Sequence, residues 1–466
     1  MDNQKIKRYV LRAAIFLFGW FACLALYVTW LQTLAADSLA KNPLNQRAAA
    51  AQSDILRGSL LDVKGEKLAY SQKAGERSYP FAAVMAPVTG YTGEKIGSTG
   101  MEAWANQDLL GITGELGRLG PAAQLFQSDR GNDVRLTIDA SAQQAAYDAL
   151  GDRRGAAVVL DASTGAVLAM VSRPSFDPNR IETDWETLRE AASSPLLNRA
   201  AQGLYPPGST LKPMIADAAL REQAVDLKEV FHCTGSLDVG GGSSIRESHG
   251  EVHGDVNLEK ALTESCNVTF GTLAMRLGDA KLANAFERFG FNKKLDNEIT
   301  ESASHLPDFA KLGKGDTAQV GIGQSSLLVT PLHMAMLASA FANQGIVMKP
   351  YLMDEVISPS GVIIKKSRPE KWFEATTPER AAVIDSFMEK VVTQGTGTAA
   401  RVNGVRVTGK TGTAENSSGK DHAWFIGSAE IKGRRIAFAI LVENSGGGGT
   451  EAAPIARKII MNLLDK

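Results

Sequence analysis

The sequence predicts an α+β protein: an antiparallel sheet flanked by helices and carrying an all-helical insertion, preceded by one transmembrane helix and a small pedestal domain. Three observations predict it. Apolar, β-branched runs with hairpin signals occur near residues 155–173 and again at 405–443. Helical patterns dominate from about 210 to 345 between them. One run near the N-terminus is long and apolar enough to cross a bilayer. Strands towards both ends with helices between imply one sheet assembled from both ends of the chain.

The apolar run extends from Ala13 to Leu31, 19 residues without a charge, and as a helix it spans about 28 Å, close to a bilayer core. Lys5, Lys7, Arg8 and Arg12 precede it, so the positive-inside rule places residues 1–12 in the cytoplasm and everything after residue 31 outside. Tyr27 and Trp30 suit the outer interface. A cleaved signal peptide is the competing reading, with Ser38-Leu39-Ala40 as a small-residue cleavage site. The run exceeds the usual length of a signal's apolar core, which favours a retained single-pass anchor in the cell (inner) membrane.

Residues 32–150 mix Ala-rich polar segments with Gly-rich turns such as "GYTGEKIGSTG" and show weak periodicity, as expected of an extended pedestal. "RLTIDASAQQAAYDAL" ends this stretch with a short strand and a helix capped near Asp139 or Ser141. Residues 151–466 form the expected main domain. It opens with two strands around the turn Asp161-Ala162-Ser163-Thr164-Gly165. The helical stretch is interrupted by the loop "VGGGSSIRESHGEVHG", and three strands follow, "GVRVTGKTGTAE", "HAWFIGSAE" and "RRIAFAILVEN", the last two joined at Lys432-Gly433. A final helix begins near Pro454, a residue suited to a first turn.

A net charge of −1 over 466 residues with 22% charged side chains points to neither nucleic acid nor a broadly basic membrane surface. Three cysteines make no disulfide framework. With Cys23 in the apolar run, Cys233 and Cys266 are the only candidate pair.

Three short motifs carry chemistry. In "YPPGSTLKP" the turn Pro206-Pro207-Gly208 delivers Ser209 to a helix N-terminus, with Lys212 three residues on and on the same face. Taken alone, this is a capping serine and a solvated lysine. Ser265-Cys266-Asn267 supplies a second hydroxyl and an amide at the end of a helical segment, and Lys410-Thr411-Gly412-Thr413 supplies a cation and two hydroxyls on a strand. Each is weak singly. Together, in this order, they make the S-x-x-K, S-x-N, K-T-G signature.

On these residues the chain resembles a class B penicillin-binding protein, a peptidoglycan D,D-transpeptidase of the penicillin-binding protein and serine β-lactamase superfamily. "NRAAQGLYPPGSTLKP", "HGDVNLEKALTESCN", "GIGQSSLLVTPLHMAMLASAFANQG" and "VTGKTGTAE…HAWFIGSA" are similar to that family's blocks, and "RGSLLDVKGEKLAYS" to its segment just beyond the membrane. The pedestal resembles the compact type. The resemblance implies the penicillin-binding transpeptidase fold. It also implies stem peptides as substrates, a D-Ala-D-Ala donor and an amine acceptor, with β-lactams as covalent inhibitors, a membrane glycosyltransferase of the shape or division type as partner, and no cofactor.

The implied roles are specific. Ser209 attacks the amide carbonyl, and Lys212 is its base once burial lowers the amine's pKa. The backbone N–H groups of Ser209 and Thr413 form the oxyanion hole. Ser265 relays a proton to the leaving amine, Asn267 holds the substrate amide, and Lys410 with Thr411, Gly412 and Thr413 receives a terminal carboxylate.

Several rival readings compete with this. Cys266 reads as a buried filler, with a disulfide to Cys233 or a reactive thiol as alternatives. His232, Cys233, His249 and His253 fit no firm zinc spacing, so no metal is expected, and His253 reads as a turn residue. A class A β-lactamase needs an E-x-x-x-N glutamate, and Glu287 and Asn292 stand one residue too far apart. A sensor needs more than 12 residues inside. A non-catalytic scaffold has no use for the intact motifs, whereas a D,D-carboxypeptidase shares every one of them.

Overall fold

A computed structural model of the chain describes residues 3–33, 35, 55–112, 129–416 and 419–465. The Ser38-Leu39-Ala40 segment lies outside them. The N-terminal run is one helix, Asn3–Thr33, and its stretch Lys7–Leu31 is long and apolar enough to span a membrane. Phe16, Phe18, Trp20, Phe21 and Leu26 on it are exposed, as a lipid-facing helix requires.

The main sheet is antiparallel and runs, edge to edge, Val407–Ala414, His422–Ile431, Arg434–Val442, Gly155–Asp161 and Val167–Arg173. The two ends of the chain meet where Val442 pairs with Gly155 and Ile436 with Asp161. Both faces are covered, which is why these strands read as unbroken apolar runs. Alternate residues enter different cores: Val158, Trp424, Ile426 and Leu441 pack on one side, Val159, Phe425, Phe438 and Ile440 on the other.

The second core is closed by helices Ala140–Leu150 and Ala453–Asp465. The first core is closed by Pro331–Ala342, of which Pro331 to Phe341 are all buried. Truncating one such side chain, Phe341→Ala, costs about 3–5 kcal/mol. Asp139 caps its helix as expected, accepting from the Ser141 and Ala142 N–H groups. The Lys432-Gly433 turn has φ of 49° and 76°, the doubly positive pair that a two-residue hairpin needs.

Two features differ from expectation. The glycine-rich interruption is not a plain loop: Phe231–Cys233 pairs with Gly254–Val256, and Ser236–Gly240 with Ser243–Arg246. The insertion, expected to be all-helical, therefore carries two ribbons besides its helices. Gly240, Gly241 and Gly242 all have positive φ and make the tight reversal that the sequence pattern hid.

The second difference is a smaller sheet, ordered Ile363–Lys366, Met353–Ile357, Asp133–Leu136, Leu60–Leu61, Lys67–Ala69. It draws one hairpin from beyond residue 350 into the pedestal, across the boundary expected at 150. Arg57 and Arg77 close on the fully buried Glu102 at 2.7 Å each beside it.

Candidate active site

The nucleophile turn is held on every side. Gly208 takes a φ of 54°, and its N–H donates to Gly323 O at 2.8 Å. A Cβ on Gly323 would lie 1.9 Å from Gly208 O, so the "GIGQ" glycine is required by close approach. The Trp424 indole N–H donates to Pro206 O at 3.0 Å, and Thr210 Oγ1 to Pro207 O at 2.6 Å. Ser209 lies in the 3-10 turn Gly208–Leu211, which runs into helix Lys212–Arg221. It is half-buried, and its hydroxyl has no hydrogen-bond partner among the described residues.

Lys212, wholly buried, donates to Ser265 O at 2.6 Å, to Asn267 Oδ1 at 2.7 Å and to Ser265 Oγ at 3.2 Å. Burial lowers its pKa to about 8, against a smaller opposing pull from Glu247. Lys410, also wholly buried, donates to Ser265 Oγ at 2.8 Å and to Thr411 O at 3.0 Å. Burial, and then the charge of Lys212, hold its pKa well below the usual lysine value. Both lysines donate to the Ser265 oxygen, which leaves the hydroxyl's own hydrogen available to another acceptor.

Ser265 stands at the end of helix Leu258–Thr263, just past its C-cap Glu264 and before helix Asn267–Arg288. Its φ of 63° is left-handed, where glycine is usual after a helix; a serine here keeps a strained backbone and gains a hydroxyl. Asn267 opens the second helix. Its Nδ2 donates to Arg246 O at 2.9 Å, leaving one amide N–H and one lone pair beyond the Lys212 contact.

On the K-T-G strand the expected roles divide. Thr413 is exposed, whereas the Thr411 hydroxyl pairs with Thr396 Oγ1 at 2.6 Å. The strand passes close to the nucleophile turn: a Cβ on Gly208 would come within 2.8 Å of Thr413 O, and one on Gly412 within 3.1 Å of Pro207 O. The backbones of Ser209 and Thr413 thus border one cleft.

Sequence reasoning missed Glu247. Its Oε2 accepts from Asn267 N at 2.8 Å, and Oε1 from Val268 N at 2.8 Å and from Cys266 Sγ at 3.2 Å. Burial opposes its charge, but these N–H donors prevail and hold its pKa below the usual value. It caps the helix that carries Asn267. A single carboxylate in a glycine-rich stretch leaves no pattern by which it could have been found.

Cys233 and Cys266 are free and buried. Their thiols, Glu247 and His253 offer four donor atoms within 4.8 Å of one another, a set of two thiols, one imidazole and one carboxylate of the kind suited to a zinc-sized cation. His253, which reads as a turn residue, lies 3.5 Å from Cys233 Sγ through Nδ1. His232 instead pairs with Asp255 on the surface.

A serine followed by a buried lysine, with a second serine held between two buried lysine amines at the edge of an antiparallel sheet, defines an active-site-serine acyltransferase. Comparison with known proteins narrows this. Residues 155–461 match the penicillin binding protein transpeptidase domain, and residues 57–119 the penicillin binding protein A dimerisation domain. The chain is 35% identical to the peptidoglycan D,D-transpeptidase PbpA of Mycolicibacterium smegmatis, over 97% of this chain and 98% of that one. It is 32% identical to MrdA of Acinetobacter baumannii, over 82% of this chain and 65% of the relative. The ceftriaxone acyl-enzyme structure of penicillin-binding protein A from M. tuberculosis superposes with a TM-score of 0.82 at 31% identity, over 89% of this chain and 99% of that one. The chain belongs to the penicillin-binding protein transpeptidase family.

Proposed function

We propose that the protein is a serine D-Ala-D-Ala transpeptidase that cross-links peptidoglycan stem peptides through an acyl-enzyme on Ser209. The observation that carries this reading is Ser265 Oγ, 3.2 Å from Lys212 Nζ and 2.8 Å from Lys410 Nζ, beside the Ser209 turn. Lys212, neutral in about a tenth of molecules at pH 7 given a pKa of about 8, takes the Ser209 proton as Oγ attacks the penultimate carbonyl. Backbone N–H groups of Ser209 and Thr413 receive the oxyanion. The proton passes through Ser265 to the leaving D-Ala amine, and an acceptor amine reverses the relay to form the cross-link. Thr413 and Lys410 favour a substrate carboxylate, and Asn267 its amide. β-Lactams acylate the same serine.

The same reading divides the chain into a tail (1–12), an anchor (13–31), a pedestal (32–150) and a catalytic domain (151–466), with helix Ala140–Leu150 packing on the catalytic sheet and the hairpin Met353–Lys366 joining the pedestal's sheet. Lys7, Arg8 and Arg12 favour a cytoplasmic N-terminus. A membrane glycosyltransferase supplying glycan strands is the expected partner. One experiment tests the function: labelled penicillin binding, followed by donor peptide with and without an amino-acid amide. Transfer to the amine is expected. Hydrolysis alone marks a carboxypeptidase, and failure to bind penicillin marks a scaffold.

A further inference from the structure

Behind the nucleophile turn, three side chains converge on one carboxylate that none of the motifs contains. Glu443 follows strand Arg434–Val442 and is nearly buried. Its Oε1 accepts from Arg199 Nε and from Tyr205 OH, each at 2.8 Å, and its Oε2 forms an ion pair with Arg154 Nε at 3.0 Å. Arg199, 1% exposed, also donates through Nη2 to Ser193 O at 2.5 Å and through Nη1 to Ser194 O at 2.9 Å. The phenol is therefore held by an acceptor that is itself fixed by two guanidinium groups.

Tyr205 directly precedes the Pro206-Pro207-Gly208 turn that presents Ser209. Its ring stands edge-on to His422 at 5.5 Å and to Trp424 at 6.3 Å, and the Trp424 indole N–H holds Pro206 O. Trp424 is also the register partner of Gly412 in the K-T-G strand. The chain of contacts from Glu443 through Tyr205 and Trp424 thus joins the turn carrying Ser209 to the strand carrying Thr413. These are the two backbones that must sit at a fixed spacing for an oxyanion to form between them.

We propose that Glu443 is a positioning residue for acylation, acting through Tyr205 and Trp424 to set the spacing between Ser209 and the K-T-G strand. The proposal rests on Ser209 being the nucleophile. It separates binding from chemistry: the surfaces that first receive a β-lactam do not include Glu443, whereas the geometry of attack depends on it.

The test is stopped-flow acylation of the full-length chain in detergent by a chromogenic cephalosporin, resolved into a dissociation constant and a first-order acylation rate. Ser209→Ala is run first, since an adduct surviving in that variant overturns the nucleophile assignment itself, independently of Glu443. Tyr205→Phe keeps the ring packing and removes one hydrogen bond to a charged acceptor. It is expected to slow the first-order step about tenfold or more with the dissociation constant changed less than twofold. Glu443→Gln should do the same and more. If leaving Arg199 unpaired prevents that variant from folding, Tyr205→Phe decides alone. Ile459→Val, in the core on the opposite face of the sheet, controls for lost stability. Wild-type acylation by Tyr205→Phe, or an equal loss in Ile459→Val, overturns the proposal.

Discussion

Lys410 Nζ donates to Ser265 Oγ across 2.8 Å, from a strand 145 residues further along the chain. The contact joins the helical insertion to the edge of the sheet and places two buried lysines on one hydroxyl. The charge of Lys212 adds to burial in lowering the pKa of Lys410.

The pH dependence of acylation follows. With Lys212 at about 8, the neutral amine grows tenfold per pH unit below that value, so the acylation rate rises from pH 6 and levels off above about 8. Lys212→Arg keeps the charge but cannot release its proton in this range. A loss of about 10²–10⁴-fold and a flat profile are expected. Stopped-flow acylation between pH 5.5 and 9.5 checks this, and a flat wild-type profile removes Lys212 as the base.

Ser265 separates activity from stability. Ser265→Ala and Ser265→Gly both delete the proposed relay hydroxyl and should slow acylation by about 10²-fold or more. The backbone φ of 63° favours glycine by roughly 1 kcal/mol, so the glycine variant should melt about 1–2 °C above the alanine variant. Equal melting temperatures would mean that the left-handed conformation stores no strain.

Gly208→Ala tests the turn itself. The new methyl meets a φ of 54° and the Thr413 carbonyl oxygen at 2.8 Å, so it strains the backbone and pushes the Ser209 turn from the K-T-G strand. Acylation should fall at least tenfold. An unaltered rate would show that the spacing of these two backbones does not govern the reaction.

Much of this was legible in the sequence because the relevant signals are local. Ser209 and Lys212 share one helical turn, and Lys410 to Thr413 one strand. The strands Gly155–Asp161 and Arg434–Val442 announce themselves by apolar runs because both faces are buried. Glu247, Thr396 and Glu443 were not legible, since each acquires its role only by tertiary contact: Glu247 with the start of a helix 20 residues on, Thr396 with Thr411, Glu443 with Tyr205 from 238 residues away. The ribbons around Gly240–Gly242 were hidden for another reason. Strands of only three to five residues are too short to show a hydrophobic alternation that can be read.

The last prediction concerns the fate of the acyl-enzyme. In the mechanism proposed above, Lys212 and Ser265 serve the side from which the leaving amine departs, and an incoming amine arriving there can use the same relay in reverse. A penicillin's leaving amine remains tethered to its acyl group and keeps that position filled. No E-x-x-x-N glutamate follows the S-x-N motif to activate water elsewhere, since Glu287 and Asn292 have the wrong spacing. The penicilloyl ester on Ser209 should therefore outlast the peptide ester by about 10²-fold or more, with an amino-acid amide hastening loss of the peptide ester only. Intact-mass spectrometry of each adduct over time, with and without the amide, measures this directly. Rapid loss of the penicilloyl adduct in buffer alone would require a hydrolytic base at the site and make the protein a β-lactamase.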